Sequence, residues 1–272
     1  MVSIIVPCFN HEHYIGLALE SIMAQSFSDW ECIIVNDGST DNSLEIIELY
    51  AKRDSRIRFI NIKNSRVSIA RNTAIKESRG VYLYPLDSDN KLHPECIAKC
   101  LEEFQRGTNI KLVYSEAELF GEKTGLWGLP EYDYKTMLKY NMVDNSSMFL
   151  REDFDRVGGY RLNMINGLED WDFFIALLAP YAKEQIVKIM QPLYYYRVTD
   201  SSRRSILEYS AEFELMLDNI VYNNFQIYQK YFPNIFERVH EYDYNHLMMN
   251  KPLVKLIVRL YNQLHKLRKR VQ

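Results

Sequence analysis

No Gly-x-Gly-x-x-Gly occurs anywhere in this chain, and only 10 of its 272 residues are glycine. A dinucleotide needs that glycine pattern for close approach of the backbone to the pyrophosphate, so hydride transfer with a nicotinamide or flavin dinucleotide is disfavoured. A nucleotidyltransferase would bring a glycine-rich basic loop after its first strand. Here the corresponding stretch is Pro7-Cys8-Phe9-Asn10-His11. The four cysteines lack zinc-type spacing: Cys8 and Cys32 lie in apolar runs, and Cys96 and Cys100 are one helical turn apart. They read as buried, reduced thiols of a reducing compartment. The six histidines show no metal spacing either, and His11-Glu12-His13 reads as a surface turn. No apolar run approaches a membrane span, and no leader-like segment precedes the first strand-like run, so a cytoplasmic protein is expected. Asn145-Ser146-Ser147 matches a glycosylation sequon that has no meaning without secretion. A net charge of −3 gives no global case for nucleic acid as a partner.

The composition, 47% hydrophobic and 25% charged, is that of an ordinary globular protein, and the length allows one large α/β domain with an appendage. The short continuous apolar run Ser3–Phe9 reads as a strand buried on both faces, and Glu31–Val35, Ile57–Ile62 and Val81–Leu86 read as the second, third and fourth strands. Between them, helical spacing covers His13–Ala24, Leu44–Ala51 and Ser68–Glu77. Such alternation implies parallel pairing by right-handed crossovers, with ligands at the carboxyl ends of the strands. Asn10, Asp37, Arg71 and Asp87 fall close to those ends. Further on, His93–Phe104 and Glu169–Leu178 read as helices. Lys111–Ser115, Ser146–Leu150 and the aromatic Pro192–Val198 read as strands, and Leu126–Tyr134 as a loop over a cleft. From Ile206 onward helical patterns dominate. The expected division is residues 1–205, with a nucleotide-binding half at 1–90 and an acceptor-binding half at 91–205, followed by a helical region at 206–272.

Asp-x-Asp occurs three times. Asp153/Asp155 lies in a charged run and reads as a solvated turn or helix start. Asp87/Asp89 follows the fourth strand-like run, where two carboxylates suit a divalent cation held against a phosphate. Asp170/Asp172 opens a helix behind Glu169; acids there also cap helices, and Asp172 reads as solvated.

Several weak pieces occur in a specific order. They are Pro7-Cys8-Phe9-Asn10, Val35-Asn36-Asp37-Gly38-Ser39-Thr40-Asp41, Ser68-Ile69-Ala70-Arg71-Asn72, Leu86-Asp87-Ser88-Asp89, Gly158-Gly159-Tyr160 and Glu169-Asp170-Trp171. Over about residues 1–200 the set resembles the family 2 glycosyltransferases, which have the GT-A fold. That resemblance implies a mostly parallel central sheet flanked by helices, with a C-terminal helical extension. It implies an inverting transfer from a nucleoside-diphosphate sugar, most often UDP-linked, to a hydroxyl of a glycan or lipid-linked acceptor, as in cell-surface polysaccharide synthesis. The donor would be held by Pro7, Phe9, Asn10, Asp37, Arg71, Asp87, Ser88 and Asp89. Asp37 would meet the base, although Asp-Gly-Ser-Thr is also good turn chemistry. Arg71 offers a fork of donors suited to phosphate or a base carbonyl. Asp89, with Asp87 on the ribose or a metal-bound water, would ligate Mn²⁺ or Mg²⁺. Asp170 would be the general base, with Glu169 binding acceptor hydroxyls or capping the helix.

The chain departs from the family pattern at three places. Arg66 stands where glycine is frequent, Asn90 where a further Asp is frequent, and Val198-Thr199 where a histidine often follows Tyr196-Arg197. The last departure keeps open a rival of another class, a catalytically silent sugar-nucleotide-binding or scaffold protein. Residues 251–272 hold seven Lys or Arg and no acid, and they are amphipathic if helical. Such a helix suits peripheral contact with the cytoplasmic face of an anionic membrane, or packing on the domain with a charged outer face.

Overall fold

The computed structural model describes residues 1–107, 109–199 and 211–232. Four strands form its first half: β1 (Val2–Cys8), β2 (Trp30–Asn36), β3 (Ile57–Asn61) and β4 (Tyr82–Pro85). They are joined by α1 (Ile15–Met23), α2 (Ser43–Arg53) and α3 (Val67–Glu77). Every residue of β1 and β2 is buried, which explains their unbroken apolar sequence: both faces of the sheet are covered. Pairings β1–β2, β1–β4 and β2–β3 are all parallel, so their carboxyl ends share one edge.

The strand order begins β3-β2-β1-β4. The chain leaves β1 in one direction and returns to its other side at β4. The crevice between the loops after β1 and β4 is therefore a topological switch point, where α/β sheets take ligands. The loops are Phe9–Tyr14 and Leu86–Asn90.

Beyond β4 the pattern changes. β5 (Lys91–Leu92), α4 (Cys96–Arg106), β6 (Leu112–Gly121), β7 (Gly125–Trp127), α5 (Tyr134–Met137), β8 (Met148–Leu150), α6 (Arg151–Val157), α7 (Glu169–Leu178) and β9 (Ile186–Val198) follow. Here the sheet is mixed: β6 is parallel to β9, while β4–β8, β6–β8, β6–β7 and β5–β9 are antiparallel. The expectation of parallel strands thus describes the first half, and the second half is mixed. Three segments differ from their sequence reading. β6 runs through Gly121 and β9 starts at Ile186, because the two pair along almost their whole length through a bulge between Ser115 and Ala117. The start of the expected Leu126–Tyr134 loop is instead β7, hydrogen-bonded to β6.

The chain divides into two units, Met1–Leu162 with Glu169–Asp200, and Asn163–Leu168 with Ser201–Gln272. In the second, α8 (Ala211–Asn223) and α9 (Phe225–Tyr231) are described, and Asn163 exchanges side-chain hydrogen bonds with Asn223. The basic segment 251–272 lies outside the described residues. Among those described, no helix is long and apolar enough to cross a membrane.

Candidate active site

The carboxyl ends of β1 and β2 are laced together by side-chain-to-backbone hydrogen bonds. Asn10 adopts φ +53°, a left-handed conformation that Asn tolerates. Its Oδ1 accepts from the Thr40 N–H at 2.8 Å, and its own N–H donates to Ser39 Oγ at 3.0 Å. Asp37 is buried, and its two oxygens accept the N–H groups of Ser65 (2.6 Å) and Arg66 (2.9 Å). Burial pushes its carboxyl pKa up, and those two N–H groups pull it back. Each oxygen keeps a second lone pair for a ligand. The grip on Arg66 explains a strained backbone: Arg66 sits at φ +78°, a region glycine prefers, as the first residue before α3. Phe9 is 42% exposed just past β1, whereas Pro7 is buried within β1 opposite Val35.

The β1 and β4 loops meet across the switch point through His11. Its Nδ1 lies 2.7 Å from Ser88 Oγ, and its N–H donates to Ser43 Oγ at 2.8 Å. His11 is therefore only half-exposed, built into the crevice rather than free on a surface turn. The neighbouring Asp89 has its carboxyl pKa raised, first by burial and then by the charge of Asp87; His11 and Arg197 oppose that shift. The end of β9 is tied to this loop: the Arg197 N–H donates to Asn90 Oδ1 and its Nε to the Asp89 carbonyl, each at 2.9 Å. Asn90 thus joins two elements where an aspartate was the family expectation.

Asp87 faces the other way. Its Oδ1 accepts from Arg71 Nη2 at 2.7 Å, while Arg71 Nη1 donates to Glu169 Oε1 at 2.6 Å. Arg71 is buried at 2% exposure, beneath the Tyr160 ring at 5.3 Å. Tyr160 is itself fixed. Asn72 Oδ1 accepts its N–H and Asn72 Nδ2 donates to its carbonyl, its ring stacks on Phe173 at 4.3 Å, and its hydroxyl meets Asn145 Oδ1 at 3.2 Å. The Gly158-Gly159 turn that delivers it needs left-handed backbone at both residues, at φ +78° and +80°.

Glu169 and Asp170 open α7, where the helix dipole favours negative charge. Asp170 accepts from Asn141 Nδ2 at 3.0 Å. Its side chain is partly exposed but enclosed by protein, and burial followed by the Glu169 charge pushes its pKa up to about 7. Arg71 lowers it and Asp144 raises it.

Asp144 and Asn145 are the site residues that sequence reading missed. Asp144 lies close enough to feel both Asp87 and Asp170, and Asn145 Nδ2 reaches within 3.5 Å of Asp87 Oδ1. The one signal available is the polar run Asp144-Asn145-Ser146-Ser147, of which Asn145–Ser147 matches a sequon and Ser146 begins a strand-like segment.

Two acidic assignments change. Asp172 is not solvated: it is fully buried, with both oxygens 3.0 Å from Arg161 Nη1. Asp153 does stand at a helix start, in α6, but it is buried rather than solvated, bonded to Arg156 and to the Tyr181 hydroxyl. Asp172 is met by an arginine eleven residues away in sequence, and Asp153 by Arg156 one turn along its own helix.

The structure thus joins Arg71, Asp87, Glu169 and Asp170 in one group and Ser88, Asp89, His11 and Arg197 in an adjoining one, with Asn10 and Asp37 lining the β1/β2 end. Among solved structures, S. aureus TarS 1–349 in complex with UDP-GlcNAc is similar with a TM-score of 0.68 at 18% identity, over 82% of this chain and 66% of that one. A mannosyltransferase of Pyrobaculum calidifontis in complex with GDP-Man and Mn²⁺ gives 0.63 at 15% identity, over 83% and 64%. These likenesses show the GT-A fold. Chondroitin synthase of Escherichia coli is 30% identical over 210 residues, which make up 76% of this chain but only 30% of that protein. The model of glycosyl transferase family 2 matches residues 3–170, more than half of the chain, including the ends of β1, β2 and β4 and the Glu169–Asp170 pair. The chain belongs to glycosyl transferase family 2.

Proposed function

We propose that this chain is an inverting glycosyltransferase that moves one sugar from a UDP-sugar to a hydroxyl of a glycan or lipid-linked acceptor in cell-surface polysaccharide synthesis. The observation that carries the reading is the division of acids about one buried guanidinium. Asp87 lies on the switch-point side of Arg71, and Glu169, followed by Asp170, on the other. Inverting transfer needs that division, because the leaving group and the attacking hydroxyl stand on opposite faces of the anomeric carbon. The UDP-GlcNAc complex of TarS and the likeness to chondroitin synthase support the donor and product class.

In this reading Phe9 and Asp37 hold the base, Asn10 and Ser88 shape the β1 and β4 loops, and Asp87 contacts the ribose. A pKa near 7 suits Asp170 to take the acceptor's proton at neutral pH as the hydroxyl attacks the anomeric carbon. Glu169, held by Arg71, orients the acceptor.

Asp89 fits a divalent metal, Mn²⁺ or Mg²⁺. Its carboxylate is hard, partly buried and destabilised by Asp87, so a cation relieves it. Among the described residues no group of three or more His, Cys, Asp or Glu could hold a metal ion. Phosphates and water would have to complete the shell of an ion at Asp89. Such an ion would supply the charge that a diphosphate leaving group develops.

Calorimetric titration with UDP tests the reading. Binding is expected with Mn²⁺ and strongly weakened by EDTA, and Asp89→Ala should remove the difference. UDP binding of equal strength with and without metal in the native chain would refute the metal assignment. The rival reading, a silent binder, keeps UDP binding and lacks transfer. The tie of Arg197 to Asn90, where family members use an acid and a nearby histidine, is the observation in its favour.

A further inference from the structure

Arg71 does not have the geometry of a free phosphate clamp. Both terminal nitrogens are committed, Nη2 to Asp87 at 2.7 Å and Nη1 to Glu169 at 2.6 Å. The third nitrogen, Nε, is buried with no hydrogen-bond partner among the described residues. A guanidinium is a rigid planar fork, so a movement that improves one of its bonds rotates the other. Its room to move is limited by Tyr160, which Asn72, Asn145 and Phe173 hold in place. The two carboxylates come from separate elements: the loop after β4 and the first turn of α7.

We propose that Arg71 is a positioning residue that couples occupancy of the donor side, at Asp87, to the acceptor-side pair Glu169–Asp170 through its shared guanidinium. The proposal rests on the reading of the site as a transferase centre with a donor side and an acceptor side. When Asp87 turns to a ribose or to a metal-bound water, its hold on Nη2 slackens and the charge of Arg71 falls more fully on Glu169. The acceptor side is then set only when the donor is in place. The groups facing Asp170 on that side are Glu169, Arg71, Asp144, Tyr160 and the Asn141 amide. Coupling of this kind is reciprocal, so a change at Glu169 must alter donor affinity although Glu169 need not touch the donor.

The test is the affinity for UDP in the presence of Mn²⁺, measured calorimetrically on the full chain in four proteins: native, Glu169→Gln, Arg71→Lys and the double variant. A lysine keeps a positive charge in the pocket but has one ammonium, which cannot hold two carboxylates in a fixed plane. The expected result is that Glu169→Gln shifts UDP affinity by about fivefold or more when Arg71 is present, the low end of ordinary site coupling. In the Arg71→Lys background the same change should shift it by less than about twofold on that scale. An equal shift in both backgrounds would be plain Coulombic action at a distance and would overturn the proposal, as would no shift in either. If Arg71→Lys fails to fold by thermal melting, the Asp87→Asn and Glu169→Gln cycle replaces it. Non-additive effects on UDP affinity support the shared guanidinium, and additive effects overturn it. Absence of UDP binding by the native chain would remove the donor-site reading and the coupling together, whereas the other outcomes remove the coupling alone.

Discussion

Asp170 carries an unusual burden for a carboxylate. Its pKa is pushed up to about 7 by burial and by Glu169, against a reference of 3.8. A base must be deprotonated, so transfer should fall about tenfold per pH unit below a midpoint near 7, as one proton is taken up. A rate profile flat down to about pH 5, well inside ordinary carboxylate territory, would contradict the assignment. Asp170→Asn should keep UDP binding and lose transfer by about 10²- to 10⁴-fold, the usual worth of a general base. The same shift has a stability consequence. The folded state binds this proton more tightly than the unfolded one, so Asp170 costs stability progressively as pH rises from its unfolded pKa of 3.8 through about 7. Asp170→Asn should therefore melt higher than the native protein at about pH 8, with a gain of roughly 1 kcal/mol or more, and should show little gain at about pH 4. A residue kept at such cost is expected where function requires it.

At the scale of elements, α7 is held by a buried ion pair as well as by its apolar packing. Asp172, in its first turn and fully buried, accepts both bonds from Arg161. Asp172→Ala removes two charge-assisted hydrogen bonds, so it should cost about 1.5–3 kcal/mol in chemical denaturation. A loss below about 1 kcal/mol would mean that the pair acts like a surface salt bridge. The Gly158-Gly159 turn makes a second demand. A Cβ on Gly159 would lie 2.7 Å from Asn72 Oδ1 and 2.8 Å from the Phe154 ring, at φ +80°. Gly159→Ala should cost about 1–3 kcal/mol and loosen the Asn72 clamp on Tyr160, measurable as a lower melting temperature. The same helix shows the limit of sequence reading. The α7 boundaries and the Glu169–Asp170 pair were legible, since acids at a helix start carry a local signal. The burial of Asp172 was not, because its partner Arg161 sits beyond a glycine turn and nothing local marks the pairing. Asp153 differs: its partner Arg156 is local, and its burial was illegible because Tyr181, remote in sequence, packs against it.

For the whole molecule, β1 and β2 were legible because strands covered on both faces are continuously apolar, and the partly exposed β3 because it keeps apolar residues at Ile57, Phe59 and Ile60 between two helical patterns. In the mixed half α4, β8 and parts of β6 and β9 were legible, but the full extent and the pairing of β6 and β9 were not, because they carry partly exposed residues and their pairing joins segments remote in sequence. Asp144 and Asn145 entered the site only through that remote topology, with β8 placed beside β4. The basic segment 251–272 carries its own prediction. If it lies on anionic lipid, the full chain should float with acidic liposomes and a chain ending at residue 250 should not; equal flotation would rule out the membrane role of that segment. The central claim, that this chain transfers sugar from a nucleotide donor, is tested most directly by release of nucleoside diphosphate from a panel of UDP-, GDP- and dTDP-sugars with Mn²⁺. Turnover of a UDP-sugar, abolished by EDTA, is the predicted result. Release from none of the donors by a chain that still binds UDP would contradict it and leave a silent sugar-nucleotide binder.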